Sequence, residues 1–312
     1  MENLLLTNYQ APGDLLMLSA AIRDLHLAYP GRFRTEVRCS HPQIFQNSPY
    51  NQAVPRHTAH TTCRELEMHY PLLDRSRTAV ECGYHFVHGF RKYLEGQLDV
   101  TIPLTACHGD VYLSVAETRP CPCLPDRYWI LNAGWKNDFQ VKPWPVRYYR
   151  ELVERHPDQT FVQTGGGSAS YNPLIGGSNV IDLVGRTTLR QFFRIMHHAA
   201  GVVTGVSFPM HAAAAVPVPD SWQRKCRPCI VIAGGRETDM WTAYSGHRVL
   251  SVTGTRSCCL NGGCWKWSLE PDAGDNGCVC PVEVGGQTVA ACMTDISVDR
   301  VSECFKQYEK VA

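Results

Sequence analysis

The chain has 312 residues, 44% of them hydrophobic and 19% charged, with a formal net charge of +1. That length suits two domains of roughly 150 residues, each with a sizeable core. The near-neutral charge excludes a broad polyanion-binding surface, so no nucleic-acid partner is expected. The first apolar stretch, Leu4 to Thr7, is too short for a signal-peptide core, and no run of about 18 apolar residues occurs. A soluble, cytoplasmic protein with no transmembrane segment is expected. In a reducing compartment its 15 cysteines read as metal ligands where they cluster. Where they scatter, as at Cys39, Cys63, Cys82 and Cys107, they read as buried apolar residues.

The opening reads as strand, loop and helix. Asn3–Thr7 is a short apolar run, and Asn8–Gly13 carries Pro12 and Gly13. Leu15, Leu18, Ile22 and Leu25 then fall on one helical face, with Arg23 and Asp24 elsewhere. Pro30-Gly31 ends that helix and Thr35–Cys39 reads as a second strand, giving a βαβ opening. Residues 40–110 are rich in His, Pro, Asn and Tyr and predict only a helix around Phe86–Leu98. Pro120–Pro125 excludes regular structure and reads as an interdomain linker. Beyond it, strands are predicted at Tyr128–Ala133, Thr160–Thr164, Val180–Leu183, Gly201–Thr204, Cys229–Ala233 and Arg248–Val252. Helices are predicted at Val146–Arg155, Leu189–Ala200 and Pro209–Val216. Such alternation implies a largely parallel sheet covered on both faces, with ligands bound in the βα loops.

Those loops carry the candidate site residues. Asp14 ends the first one; it reads either as a helix N-cap or as a carboxylate taking a proton from a hydroxyl. Lys136 and Lys142, with Trp144 nearby, follow the first strand of the second half. Each lysine is either a solvated charge or a counter-charge for a diphosphate. Thr204–His211 joins a strand to an Ala-rich helix, with Pro209 suited to the first turn. Free N–H groups there, with Ser207, make an anion site. His211 reads as a phosphate donor or as a core histidine. Gly165–Gly167 and Gly234-Gly235-Arg236-Glu237 also follow strands, but short glycine runs serve simple turns as well.

Cys258, Cys259, Cys264, Cys278, Cys280 and Cys292 crowd into a Gly-rich segment with little core of its own. A tetrahedral ion on four thiolates would fold it, the other reading being free buried thiols. Zinc and iron both suit soft thiolates. Cys226 and Cys229 stand apart, and Cys229 reads as the start of a buried strand.

Taken together, these residues resemble the ADP-heptose heptosyltransferases, glycosyltransferase family nine. The likeness is carried by Leu4–Pro30 with its Pro-Gly-Asp, by Lys142-Pro143-Trp144, by Asp182-Leu-Val-Gly-Arg-Thr-Thr-Leu189, and by Pro209-Met210-His211-Ala-Ala-Ala. The resemblance implies an α/β, GT-B fold of two Rossmann-like domains facing a cleft, with an inverting transfer that uses no catalytic metal. It implies that Asp14 is the general base, that Lys142 and His211 contact the donor diphosphate, and that Thr187 and Thr188 lie in the nucleotide-side loop. The family usually has Asp-Thr-Gly before Pro-Met-His, where this chain has Val206-Ser207-Phe208, a change beside the leaving group that places Phe208 in the donor pocket. The run Cys264-Trp265, Cys280-Pro281, Cys292-Met293 is similar to the cysteine cluster of bacterial autotransporter heptosyltransferases, which bind a structural iron. Either of Cys258 and Cys259, and either of Cys278 and Cys280, completes such a set.

The expected organisation is an acceptor domain at 1–120, a nucleotide-sugar domain at 126–257, a cysteine-rich metal-binding segment at 258–294 and a terminal helix at 295–312. The expected function is transfer of a sugar, from ADP-heptose or a related nucleotide sugar, to a hydroxyl on a glycan, a protein or a small metabolite. A nucleotide-sugar or glycan-binding protein without turnover, and a nucleotide-sugar epimerase of similar fold, are the alternatives.

Overall fold

The computed structural model describes residues 1–55, 62–70, 84–166 and 170–309. Cys82, Gly167 and residues 310–312 of the expected terminal helix lie outside the described residues.

Strand β1 (Glu2–Asn8) runs into helix α1 (Pro12–Ala28), then β2 (Phe33–Cys39), β3 (Cys63–Glu67) and α2 (Val87–Leu98). The strands form a parallel three-stranded sheet ordered β2-β1-β3, so the βαβ opening is as expected. Strand β3 is an addition. Its Cys-Arg-Glu-Leu-Glu sequence buries only Cys63 and Leu66, and the charges between them suit an edge position.

Helix α1 departs from the one-sided pattern read from its leucines. It is buried from Leu15 through Leu25, because the sheet lies beneath it while α2 and the helix Phe208–Ala215 flank it. Arg23 and Asp24, expected away from the packed face, are 7% and 1% exposed. They are tolerated there because they neutralise each other and the loop that covers them. Arg23 Nε binds Asp24 Oδ1 at 2.9 Å, and its Nη1 binds Asp110 Oδ2 at 2.8 Å and donates to the His108 carbonyl at 2.9 Å.

The chain passes 120–125 without regular structure. There follow β4 (Trp129–Asn132), β5 (Trp135–Lys136), α3 (Val146–Glu154), β6 (Phe161–Gln163), β7 (Ser170–Tyr171) and β8 (Val180–Asp182). Next come α4 (Leu189–His198), β9 (Gly201–Gly205), α5 (Phe208–Ala215), β10 (Cys229–Gly234) and β11 (His247–Ser251). Each expected element is present within one or two residues of its predicted ends. Six strands make one parallel sheet, ordered β11-β10-β9-β4-β6-β8. Alternation along β4 shows how both faces are covered. Trp129 and Leu131 pack with α3 and the terminal helix, whereas Ile130 packs with α4 and α5. That second core runs on into α1 and β1, so the two halves share apolar packing.

After β11 the cysteine-rich segment leads to the hairpin β12 (Pro281–Val284) and β13 (Gln287–Ala290), then the one-turn α6 (Ala291–Thr294) and α7 (Val298–Glu309). Phe305 of α7 meets Trp129 with ring centroids 4.3 Å apart. Among the described residues no helix is long and apolar enough to cross a membrane.

Arg227, 1% exposed, ties the helix ends behind the sheet together. It donates to the carbonyls of His197, Ala199, Ala213, Val216 and Pro217. Arg227→Met keeps the stem and strips these carbonyls of their partner. We expect a loss of about 3 kcal/mol or more, from several charge-assisted bonds and stranded acceptors. Urea unfolding checks this; a midpoint equal to that of the parent would show that water replaces the guanidinium without cost.

Candidate active site

A cleft of about 850 Å³ opens between the start of α1 and the carboxyl ends of the strands in the larger sheet. Asp14, Lys136, Lys142, Thr187, Thr188, Ser207, Phe208 and His211 all line it. Residues called from separate loops therefore converge on one site, as expected for a parallel sheet.

Asp14 is not the N-cap of α1. Ala11, extended at φ −67° and ψ 159°, holds that place, and Pro12 occupies the first turn. Asp14 sits at the third helical position, and its Oδ2 accepts from the Ala11 N–H at 3.1 Å. Its Oδ1 accepts from the Tyr70 hydroxyl at 3.1 Å. Burial pushes the Asp14 carboxyl above the ordinary aspartate value, against the pull of Tyr70, the Ala11 N–H, Lys142 and Lys136. The result is an oriented carboxylate of raised basicity at the cleft wall.

His211 stands in the first turn of α5, directly across from Gly13. A Cβ at Gly13 would lie 2.8 Å from the His211 ring, so glycine lets the two helix starts touch. His211 Nδ1 is 2.6 Å from the Tyr244 hydroxyl, which also lies 3.3 Å from Met17 Sδ. Burial, with His85 and Lys142 nearby, lowers the His211 pKa to about 3. At neutral pH it is an uncharged imidazole in a hydrogen-bonded frame, so it offers a ligand a hydrogen bond and no charge.

Lys142 supplies the charge. Its Nζ binds Glu237 Oε1 at 2.8 Å, lies 3.4 Å from the Val206 carbonyl and sits 5.1 Å over the Phe139 ring. Burial lowers its pKa, opposed by Glu237 and Asp14. Lys136 is exposed and pairs with Asp138 at 3.1 Å, the looser of the two lysines. Trp144 lines the cleft floor but is anchored in the core, its Nε1 donating to the Ile296 carbonyl at 2.8 Å.

Ser207 is the N-cap of α5 but makes no capping bond; its Oγ lies 3.1 Å from Thr204 Oγ1. Phe208 packs its ring at a tilt against Phe192, with centroids 5.5 Å apart. Thr188 has a structural duty, because its hydroxyl accepts from the Gln191 N–H at 3.2 Å while Gln191 Oε1 accepts from the Thr188 N–H at 2.8 Å. Thr187, beside it, is half-buried.

The cysteine-rich segment forms one wall of the cleft. Cys264 donates its backbone N–H to the Gly235 carbonyl at 3.2 Å, and Trp265 donates to that of Arg236 at 3.1 Å. Trp265, at a left-handed φ of 55°, enters the cleft lining. The thiols of Cys258 and Cys278 lie close to that of Cys280, with Cys264 and Cys292 in electrostatic reach. Burial and neighbouring thiols push Cys258 up to about 11 and Cys292 to about 12. Cys259 is also in electrostatic reach of Cys258 and Cys264, but its Sγ donates to the carbonyls of Arg256 at 3.3 Å and Val252 at 3.8 Å. Among the described residues no three His, Cys, Asp or Glu side chains stand as a metal-holding group. The expected four-thiolate site is therefore not formed among the described residues, although the thiols draw near one another. Cys229 is buried at the start of β10, as its sequence predicts.

Residues 50–220 match the profile of glycosyltransferase family 9 (heptosyltransferase). The chain belongs to this family. It is a glycosyltransferase. Among solved structures, E. coli ADP-heptose lps heptosyltransferase II is 15% identical over 100% of both chains, with a TM-score of 0.61. The family 9 glycosyl transferase of Veillonella parvula is 14% identical over 100% of this chain and 98% of its own, with a TM-score of 0.67. The iron-containing dodecameric glycosyltransferase TibC of enterotoxigenic E. coli is 14% identical over 99% of this chain and 76% of its own, with a TM-score of 0.65. At such identities the likeness establishes the fold, a mixed α/β arrangement with parallel sheets of GT-B type. No curated protein matches the chain by sequence.

Three cleft residues escaped sequence reading, Tyr70, Glu237 and Trp265, as did Tyr244, which holds His211 from behind the cleft wall. Tyr70 follows a strand in the poorly patterned stretch, and Glu237 ends a glycine loop too short to weigh. Trp265 adjoins Cys264, the one signal that pointed toward it.

The Asp14–Tyr70 bond has a measurable consequence. A general base must be ionised, so turnover should rise through an acid limb placed above the ordinary aspartate range. Tyr70→Phe removes a bond that favours the carboxylate, so the limb should move to still higher pH. An unmoved or lowered limb in the kcat profile would show that Tyr70 does not support the ionised form.

Proposed function

We propose that this glycosyltransferase moves the sugar of a nucleoside-diphosphate donor, ADP-heptose or a related nucleotide sugar, to an acceptor hydroxyl with inversion at the anomeric carbon. The observation that carries the reading is the placing of Asp14, a carboxylate of raised pKa, across one cleft from Lys142 and His211. The structures with the same fold include ADP-heptose-utilising enzymes. Asp14 takes the proton of the acceptor hydroxyl as its oxygen bonds to the anomeric carbon. The bond from that carbon to the diphosphate oxygen breaks, and the nucleoside diphosphate departs with the electron pair. The charge gathering on it is met by Lys142, by a hydrogen bond from neutral His211 and by the N–H groups at the start of α5 beside Ser207 and Phe208. Fixed donors of this kind stabilise the transition state without a metal ion in the chemistry. Thr187 and Thr188 border the nucleotide, with Lys136 as an outer counter-charge. The acceptor enters from the side of residues 1–120 and the donor rests on 126–257.

The thiols fit a structural ion by their chemistry. Four thiolates drawn from Cys258, Cys264, Cys292 and one of Cys278 and Cys280 would hold zinc or iron, which would cross-link a segment poor in core. TibC, which contains iron, shares the fold. Cys259 is left out because its Sγ is engaged with backbone carbonyls.

Asp14→Asn keeps the bonds to Ala11 and Tyr70 feasible and removes the base. Transfer should fall at least about 100-fold, with ADP affinity little changed; undiminished transfer would leave Asp14 a purely structural residue. Lys142→Ala should weaken ADP binding by calorimetry, and EDTA during a short assay should leave turnover intact. For the ion, elemental analysis of protein prepared without an affinity-tag metal should give about one zinc or iron per chain. Cys264→Ser should release it and lower the melting temperature. Less than about 0.2 ion per chain, with thiols that titrate freely in the folded protein, would remove the ion from the account.

A further inference from the structure

Asp14 and Glu237 are the two carboxylates among the described residues that line the cleft. The transfer scheme uses Asp14 and leaves Glu237 without a role. Glu237 is 3% exposed and placed with care. Its Oε1 meets Lys142 at 2.8 Å and its Oε2 meets Arg236 Nη1 at 3.1 Å, while its backbone carbonyl accepts from Thr253 Oγ1 at 3.1 Å. Arg236 is itself fixed, by the Lys266 carbonyl at 2.8 Å and by the faces of Phe139 and Trp265 at 4.9 and 5.3 Å. Burial would raise the Glu237 pKa, but Lys142 and Arg236 outweigh it and hold the group below the ordinary glutamate value, so it is an anion at neutral pH.

A fixed anion beside a diphosphate site has two opposite effects. It repels phosphate charge and competes for Lys142. It also accepts hydrogen bonds from hydroxyls, since each carboxylate oxygen keeps a second lone pair. The donor and the product differ in both respects. A nucleotide sugar carries hydroxyls and has its terminal phosphate esterified; the nucleoside diphosphate left after transfer has lost those hydroxyls and gained a negative charge. Thr242 and Trp265 also line the cleft, and their Oγ1 and Nε1 atoms are buried without a partner among the described residues.

We propose that Glu237 is a specificity-determining residue that favours the sugar-bearing nucleotide over the bare nucleoside diphosphate, by accepting a hydroxyl of the transferred sugar and by repelling the product. The proposal rests on the donor reading above and adds a direction to it. Glu237 speeds exchange of product for substrate at the cost of product affinity.

Calorimetry with ADP and with ADP-heptose, without acceptor, tests it on the parent, Glu237→Gln and Glu237→Asp. In Glu237→Gln, ADP should bind more tightly and ADP-heptose more weakly, so the preference for the sugar nucleotide falls at least about tenfold, the scale of one hydrogen bond to a charged group. Product inhibition by ADP should sharpen in step, and Glu237→Asp should recover part of the preference. Parallel weakening of both ligands would make Glu237 a brace for Lys142 and Arg236 and overturn the proposal, as would an unchanged ratio. If Glu237→Gln proves unstable, Val206→Asp in the parent supplies the opposite test. It adds a carboxylate beside the same Lys142, whose Nζ lies 3.4 Å from the Val206 carbonyl, and should weaken ADP more than ADP-heptose; an equal effect on both contradicts the charge argument. Parent protein that binds neither nucleotide overturns the donor reading, and this proposal with it.

Discussion

A single ammonium group balances the cleft. Lys142 feels Asp14 from the smaller sheet's side and Glu237 from the larger one, while burial works against its own charge. An isolated charge in such surroundings costs several kcal/mol, so the three groups are stable there only as a set. His211 escapes the problem by staying neutral, and Tyr244 fixes its ring. The set also demands that the two halves meet closely. Gly13 against His211 provides that contact, and the apolar packing of α1 on α5 holds it. The arrangement therefore depends on one helix start approaching another, with a glycine where any side chain would push them apart.

Much of this was legible in the sequence where the signal is local. The strands and helices of the second half follow from apolar runs alternating with helical spacing, and each fell within a residue or two of its reading. Their loops meet at one cleft, because a parallel sheet gathers its βα loops at one end. What depends on partners distant in sequence was not legible. Arg23 and Asp24 read only as lying off the apolar face, because helical spacing cannot reveal that a loop, from Thr105 to Asp110, closes over them. Tyr70 is recognisable as a site residue only once its hydroxyl meets Asp14. Thr188 shows the converse: its place in a cleft-lining loop was readable, whereas its capping bond to Gln191 accounts for the threonine without any ligand.

The cysteine-rich segment links stability to the site. Cys264 and Trp265 add backbone hydrogen bonds to Gly235 and Arg236, and Gly235 is hemmed in by Cys259 and Cys292, whose atoms would lie 3.2 and 3.4 Å from an added Cβ. The loop that presents Arg236 and Glu237 is thus shaped by the thiol-bearing segment behind it. Loosening that segment releases Trp265 from its left-handed conformation, a strained one for a bulky residue, and with it the aromatic face under Arg236. A segment distant from the βα loops in sequence is part of the cleft wall in space.

The central claim is that one base on one wall and a diphosphate held by fixed donors on the other produce a single displacement. The anomeric configuration of the product tests this most directly. With a nucleotide sugar of known anomeric configuration, an acceptor that the enzyme uses and EDTA present, proton NMR of the first product formed should show complete inversion. Retention of configuration would require two successive displacements and a nucleophile on the opposite face, and would contradict the assignment of Asp14 as the base.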